Sequence, residues 1–247
     1  MQYLGLTRST RKATHLLHTP DAFVRAALPG MVEAVAVVHA SPALGAGFLQ
    51  YTAELAAGGS MAGSVDQRFV YVMDGAVSLT VDGVEHRMGA GGYGYLPGGQ
   101  DAAAGRIVAA QASRLSVIEK QYVALDGVAA PAGFVAREEE IAGVALNGDE
   151  GLMVRSLLPQ EAGFDFAVNT MTYAPGAALA QVEVHVMEHG LVMLEGGGIY
   201  RLGEDWYGVE AGDFIWMAPY CPQWFGALGK VPARYLIYKD WNRRPTV

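Results

Sequence analysis

The sequence contains a single cysteine, few charged residues and no long apolar run, and each shortage argues against a class of protein. Cys221 has no second cysteine to pair with, so no intrachain disulfide indicates an oxidising compartment. No apolar run approaches the roughly 18 residues that a membrane-spanning helix needs, and the N-terminal residues lack the apolar stretch of a signal peptide. We therefore expect a cytoplasmic protein without a membrane partner.

Positive charge is also scarce. Seventeen Lys and Arg stand against 25 Asp and Glu, a net charge of −8 that gives no field to attract phosphate backbones. Nucleic acid is therefore not an expected partner. The chain is instead 51% hydrophobic and carries 32 glycines and 11 prolines, a composition that favours a compact, turn-rich and mostly β fold.

Two parts of the chain resemble each other at a constant distance. The run from Phe69 to Gly75 has the shape of the run from Gly190 to Gly196, 121 residues later. An Ala-Gly pair and an aromatic-rich run follow at the same interval in both copies, and Asp82-Gly83 marks a hairpin between the landmarks of the first copy. A constant offset across several landmarks predicts a duplicated unit of short antiparallel strands.

The duplication predicts an all-β chain with two tandem barrels. We expect an N-terminal arm over residues 1–29, a barrel over 30–125, a linker over 126–149 and a second barrel over 150–247. The linker is placed where Ala, Pro and Gly are followed by a run of glutamates. Two brief helices are expected, one from Pro20 to Ala27 and one beginning at Pro159.

Two of the six histidines lie in one short segment with a glutamate. Glu183 and His185 are two residues apart, so a strand would direct both to one face, and His189 can return to that face after a bend. Buried together, these groups favour a shared divalent cation, with Gln223 as a fourth ligand. This donor set suits Mn(II), and Fe(II), Ni(II) and Zn(II) remain alternatives. The competing interpretation is a pair of ordinary hydrogen-bonded histidines.

The last predicted strand carries two more candidate residues. Alternation places Tyr235 and Lys239 on one face, and a buried Lys239 would need an anion, either the metal ligands or a substrate carboxylate. A surface lysine is the alternative interpretation. Tyr200 follows a triple glycine and either reaches the same cavity or packs in the core.

The spacing of Glu183, His185, His189 and Gly196, followed by Gly212 and Gln223, resembles the two cupin motifs. Cupins usually ligate a metal with two histidines, a glutamate and a third histidine, so only His185 is standard here. The departures, together with the blocks 187–200 and 233–243, resemble the (S)-ureidoglycine aminohydrolase family of bicupins. The resemblance therefore implies a bicupin fold with one metal site, in the C-terminal barrel.

The resemblance also implies an activity. Members of that family release ammonia from (S)-ureidoglycine to give (S)-ureidoglycolate in purine and allantoin (ureide) degradation, with Mn(II) as cofactor. By resemblance, Tyr235 and Lys239 would contact the substrate. We expect Glu183, Tyr235 and Lys239 to be catalytic, and Gln223 and Tyr200 to join them in binding the substrate. A homo-oligomer is expected because bicupins associate through exposed barrel edges. The alternatives are a non-catalytic bicupin that binds a carboxylate or sugar, and a cupin Fe(II) dioxygenase.

The first barrel is expected to bind no metal. The 121-residue offset places Ala62, Ser64 and Arg68 at the positions of Glu183, His185 and His189, and Asp101 or Ala102 near that of Gln223. That set of side chains cannot hold a cation. We therefore expect a structural role for the N-terminal barrel.

Overall fold

The structure is a computed structural model that describes residues 5–99 and 104–244. Within those ranges the chain is almost entirely β, and its helical content is limited to the 3-10 turns Pro20–Ala22 and Glu138–Glu140. Neither described helix is long enough to cross a membrane. The strands are β1 (Thr10–Arg11), β2 (His15–His18), β3 (Met31–Ala40), β4 (Leu49–Met61), β5 (Gln67–Asp74), β6 (Ala76–Val81), β7 (Val84–Gly89), β8 (Gly92–Leu96), β9 (Ile107–Ala109), β10 (Ser113–Lys120), β11 (Phe134–Arg137), β12 (Val144–Leu146), β13 (Asp149–Ser156), β14 (Phe166–Tyr173), β15 (His189–Glu195), β16 (Gly197–Leu202), β17 (Asp205–Glu210), β18 (Phe214–Met217), β19 (Gln223–Ala227) and β20 (Ala233–Asp240).

The N-terminal unit comprises Val24–Ala142 and Leu157–Ala167. Its strands follow the order β11-β8-β5-β10-β4-β9-β6-β7, with β3 added on β4. Inward-facing residues alternate along these strands and form one apolar core that includes Tyr51, Val70 and Leu115. Asp82 and Gly83 both have positive φ, of 49° and 77°, as a two-residue turn between β6 and β7 requires.

The C-terminal unit comprises the chain from Val168, the segment Gly143–Ser156 and the segment that ends at Phe23. One sheet has the order β1-β2-β18-β15-β20-β14-β13-β12, and a three-stranded sheet has the order β17-β16-β19. Their inner faces enclose a core rich in aromatic residues, among them Tyr173, Tyr200, Phe225 and Tyr235.

The two units repeat the same strand plan. The bounds of β6 and β7 recur in β16 and β17 with an offset of 121 at both ends. Arg68 on β5 pairs with Glu119 on β10, as His189 on β15 pairs with Lys239 on β20. The predicted all-β fold and its duplication are thus confirmed, and the register identifies equivalent positions in the two barrels.

The residue ranges of the two units differ from the expected ranges. The expected N-terminal arm contributes β2, which pairs with β18 of the C-terminal unit. The expected linker contains β11, which pairs with β8, and β12, which pairs with β13. These strands have three or four residues, too few for a visible alternation, and they cover strands that would otherwise be open edges.

The predicted helices are also different in the structure. The first is only the 3-10 turn Pro20–Ala22, because the chain is already extended at Phe23. The helix predicted to begin at Pro159 is wrong, since residues 159–163 form an irregular turn. Proline at a first helical position is compatible with a turn as well as with a helix, so the signal was not specific.

The histidines of β2 make the stability of the C-terminal unit depend on pH. Burial lowers the pKa of His15 and of His18 below 6.5. The unfolded chain therefore binds protons that the folded chain does not, and the free energy of unfolding should fall as the pH decreases below about 6.5. In denaturant unfolding at pH 7.5 and 5.5, a variant with both histidines changed to Gln should lose less stability on acidification than the native chain. Equal losses would contradict this role.

Candidate metal and substrate site

The candidate ligands lie in the C-terminal unit, where the segment before β15 runs beside β19. Glu183 and Gln223 form an isolated antiparallel bridge, in which each backbone N–H donates to the other residue's carbonyl at 2.8 and 2.9 Å. Gln223 is the first residue of β19. Residues 40 apart in sequence are therefore held side by side by their backbones.

Glu183 and His185 meet at the entrance to this region. His185 Nε2 lies 3.1 Å from Glu183 Oε2, and both side chains keep about 30% of their surface exposed. The His185 ring stands edge-on to the His189 ring, with centroids 5.5 Å apart. The carboxylate and the two imidazoles thus form one contiguous group.

His189 is the deepest of these residues. It is 4% exposed, and its Nδ1 donates to the backbone carbonyl of Tyr238 at 3.2 Å. Burial lowers the pKa of His189 to about 3, with the neighbouring His185 and Lys239 acting in the same direction. The imidazole is therefore neutral and carries its lone pair on Nε2, the state in which a histidine ligates a metal.

The chemistry of this donor set fits a first-row divalent cation. It combines two imidazoles with a carboxylate and an amide oxygen. One imidazole, that of His189, is kept neutral by burial and carries its lone pair on Nε2 because its Nδ1 donates to a carbonyl. In the described part of the chain, no three His, Cys, Asp or Glu side chains are grouped closely enough to hold a metal ion. Glu183 and His185 instead contact each other, so convergence of all four ligands on one point stays a prediction.

Three buried tyrosines line the barrel behind the ligands. Tyr235 OH lies 2.8 Å from Tyr173 OH, and Tyr200 OH donates to Gln223 Oε1 at 3.4 Å. All three rings pack against Phe225. Burial raises the pKa of Tyr200 and of Tyr235 well above 10, so both hydroxyls remain protonated and can donate hydrogen bonds.

Lys239 brings a cation to the same region. It is half-buried on β20 next to His189, and burial lowers its pKa while the charge of Glu183 opposes that shift. Its Nζ lies 4.7 Å from the centroid of the Trp241 ring and 3.3 Å from the amide oxygen of Asn169, in the amide orientation that gives both Asn169 atoms a partner. Asn169 and Tyr173 are not among the site residues predicted from the sequence, because their partners lie more than 60 residues away in the chain.

The equivalent position in the N-terminal unit holds an ion pair. Arg68 replaces His189 and contacts Glu119, with N–O distances of 2.6 and 2.7 Å. Tyr51 OH donates to the same carboxylate, and the guanidinium also donates to the carbonyl of Ala62. Ser64 accepts a hydrogen bond from the backbone of Asp66 instead of facing a cation. Asp101 and Ala102 lie outside the described residues.

The comparisons with known proteins identify both halves of this architecture. Residues 43–122 match the family model of the EutQ-like cupin domain, and residues 169–238 match that of the cupin domain. The protein is therefore a bicupin, in which one barrel carries the candidate ligands and the other carries an ion pair at the equivalent position.

Individual proteins that match nearly the whole chain define the family more narrowly. The (S)-ureidoglycine aminohydrolase of Arabidopsis thaliana is 38% identical over 98% of this chain and 80% of its own length. The (S)-ureidoglycine aminohydrolase of Escherichia coli strain K12 is 33% identical over 92% of this chain and 88% of its own length. The crystal structure of the protein Ylba from E. coli superimposes with a TM-score of 0.86 at 30% identity, over 98% of this chain and 97% of that one. The chain belongs to the (S)-ureidoglycine aminohydrolase family.

Proposed function

We propose that this protein hydrolyses (S)-ureidoglycine to (S)-ureidoglycolate and ammonia with the C-terminal barrel as its single active site. The observation that carries the proposal is the cluster of Glu183, His185 and His189 beside the half-buried Lys239. The substrate has an amine, a ureido group and a carboxylate on one carbon. A metal ion held by the cluster and the ammonium of Lys239 could therefore bind it at two points. Membership of the (S)-ureidoglycine aminohydrolase family supports the choice of substrate.

Glu183, His185, His189 and Gln223 would hold the metal ion. Mn(II) is the proposed ion because the set joins two imidazoles to two oxygen donors and contains no thiolate. When bound, such an ion acts as a Lewis acid that polarises a substrate group and orients it. Removal of the metal with a chelator should therefore abolish ammonia release, and Mn(II) should restore it.

The residues of the chain supply orientation and proton transfer. The Lys239 ammonium would bind the substrate carboxylate. Tyr235 and Tyr200, whose hydroxyls stay protonated because burial raises their pKa values, would donate hydrogen bonds to the substrate. In the reaction the bond from the α-carbon to its amino nitrogen breaks and a bond from that carbon to a water oxygen forms. One water proton stays on the new hydroxyl and the other leaves on ammonia, and Glu183 would be the carboxylate that transfers it.

The setting of the enzyme belongs to the same proposal. We infer a cytoplasmic homo-oligomer that takes a small ureido amino acid and neither nucleic acid nor membrane as its partner. The net charge of −8 and the lone, buried Cys221 support this setting. Size-exclusion chromatography with light scattering measures the oligomeric state directly.

An assay with freshly prepared (S)-ureidoglycine tests the proposed function against its rivals. We expect the Mn(II)-loaded protein to release one ammonia per ureidoglycolate formed, without consuming oxygen. A non-catalytic binding protein would release no ammonia above the uncatalysed rate. An Fe(II) dioxygenase would consume oxygen. Either of these results would overturn the proposal.

Replacement of Lys239 by Met tests the substrate orientation. The variant keeps every proposed metal ligand but loses the charge-assisted hydrogen bond to the substrate carboxylate, which is worth about 1.5 to 3 kcal/mol. We expect unchanged manganese content and a value of kcat/KM that falls about tenfold to a hundredfold. Lys230 lies in an exposed turn, so Lys230→Met is the matched control and should leave kcat/KM unchanged. Full activity of Lys239→Met would contradict the proposed orientation.

A further inference from the structure

Strand β14 places two polar side chains directly against the proposed substrate-binding residues of β20. The two strands are neighbours in the eight-stranded sheet. Asn169 and Tyr173 are four residues apart on β14, just as Lys239 and Tyr235 are four residues apart on β20. Because alternate residues of a strand share a face, each pair lies on one side of its strand.

Each residue of β14 contacts one residue of β20. Tyr173 is fully buried, and its hydroxyl lies 2.8 Å from that of Tyr235. Asn169 is 8% exposed. In the amide orientation that gives both of its polar atoms a partner, its oxygen lies 3.3 Å from Lys239 Nζ and its nitrogen donates to the carbonyl of Val168. Tyr235 and Lys239 on β20 therefore each have a hydrogen-bonding partner on β14.

Both contacts restrict groups that would otherwise have several positions. A tyrosine hydroxyl rotates about its C–O bond, and a lysine side chain has four rotatable bonds. A hydrogen bond to Tyr173 fixes where the hydroxyl of Tyr235 points, and the Asn169 oxygen holds the Lys239 ammonium while leaving its charge intact. A neutral amide suits this task, because an acidic residue at the same place would compete with an anionic substrate for the lysine.

We infer that Asn169 and Tyr173 are positioning residues, which act on the substrate only through Lys239 and Tyr235. The inference rests on the proposed function, since it assigns the two residues of β20 to the substrate. Neither Asn169 nor Tyr173 is a proposed metal ligand. Their loss should therefore change substrate affinity and turnover without changing the metal content.

A double-mutant cycle tests the tyrosine pair. Tyr173→Phe removes one hydroxyl from a buried ring of unchanged size, and we expect kcat/KM to fall about two- to tenfold. In the Tyr235→Phe background the same substitution should have no further effect, because the hydroxyl that it positions is already gone. An effect of equal size in both backgrounds would overturn the role of Tyr173.

A second cycle tests the lysine pair. Asn169→Leu keeps the volume and removes the acceptor, so kcat/KM should fall about tenfold or more, mainly through a higher KM, and should not fall further in the Lys239→Met background. A merely structural role would lower the fraction of folded enzyme and thus the apparent kcat, with KM unchanged. Met171 lies between the two residues on the same face and packs in the core, so Met171→Leu is the matched control with wild-type kinetics.

The outcomes separate this inference from the proposed function. Native protein that releases no ammonia from (S)-ureidoglycine would refute the proposed function, whatever the variants do. Native protein that is active, with Tyr173→Phe and Asn169→Leu as active as Met171→Leu, would refute the positioning roles alone. If Asn169→Leu does not fold, Asn169→Ser replaces it with the same expected rise in KM.

Discussion

Replacement of His185 by Ala is expected to abolish metal binding and ammonia release together. His185 is the partly exposed imidazole that contacts both Glu183 and the ring of His189, so its replacement removes a proposed ligand that contacts two others. Loss of an outer partner of a metal ligand costs about 10- to 100-fold in affinity or activity, and loss of a ligand itself should exceed that range. Manganese content by mass spectrometry and kcat/KM for (S)-ureidoglycine measure the two effects.

His86 offers a matched control for this substitution. It is a partly exposed histidine on β7 of the N-terminal unit, whereas all four candidate ligands belong to the C-terminal unit. His86→Ala should keep native manganese content and native activity. If His185→Ala retains its metal but loses activity, His185 acts on the substrate and is not a ligand.

Replacement of Arg68 by Met is expected to destabilise the protein more than any other single change considered above. Arg68 and Glu119 form a buried ion pair whose side chains are 6% and 13% exposed. Removal of one partner leaves the other charge without compensation inside the barrel, which costs about 3 to 5 kcal/mol. The free energy of unfolding in urea should fall by that amount.

Two further variants separate the ion pair from the general effect of losing an arginine. Arg114 and Asp74 form an ion pair of similar length on the surface, about half exposed, so Arg114→Met should cost less than about 1 kcal/mol. The double variant Arg68→Met, Glu119→Leu should recover much of the lost stability, because apolar residues of similar volume can replace a buried pair. A loss of stability no larger for Arg68→Met than for Arg114→Met would contradict this account.

The sequence predicted the features that short, contiguous runs of residues reveal. The duplication was visible because whole strands recur at one offset, and the hairpin at Asp82-Gly83 was visible because a two-residue turn demands those residue types. Glu183, His185 and His189 could be recognised as candidate ligands because three ligating side chains lie within a segment of seven residues.

Features that depend on distant partners could not be predicted in the same way. Nothing local distinguishes Tyr173 or Asn169 from other residues of an alternating strand, and their roles arise from the pairing of β14 with β20. Strand β2 was not predicted for a similar reason, since its four residues form a strand by pairing with β18, which lies about 200 residues later. The ion pair of Arg68 and Glu119 likewise needs the register of β5 and β10.

Diffraction at the manganese absorption edge tests the central claim most directly. The account predicts one anomalous peak per chain in crystals of the Mn(II)-loaded protein, within coordination distance of Glu183, His185, His189 and Gln223, and no peak beside Arg68. The contact between Glu183 and His185 should open so that both side chains turn to the ion. A peak in the N-terminal barrel, or an ion held by other residues with these four dispersed, would contradict the assignment of a single active site.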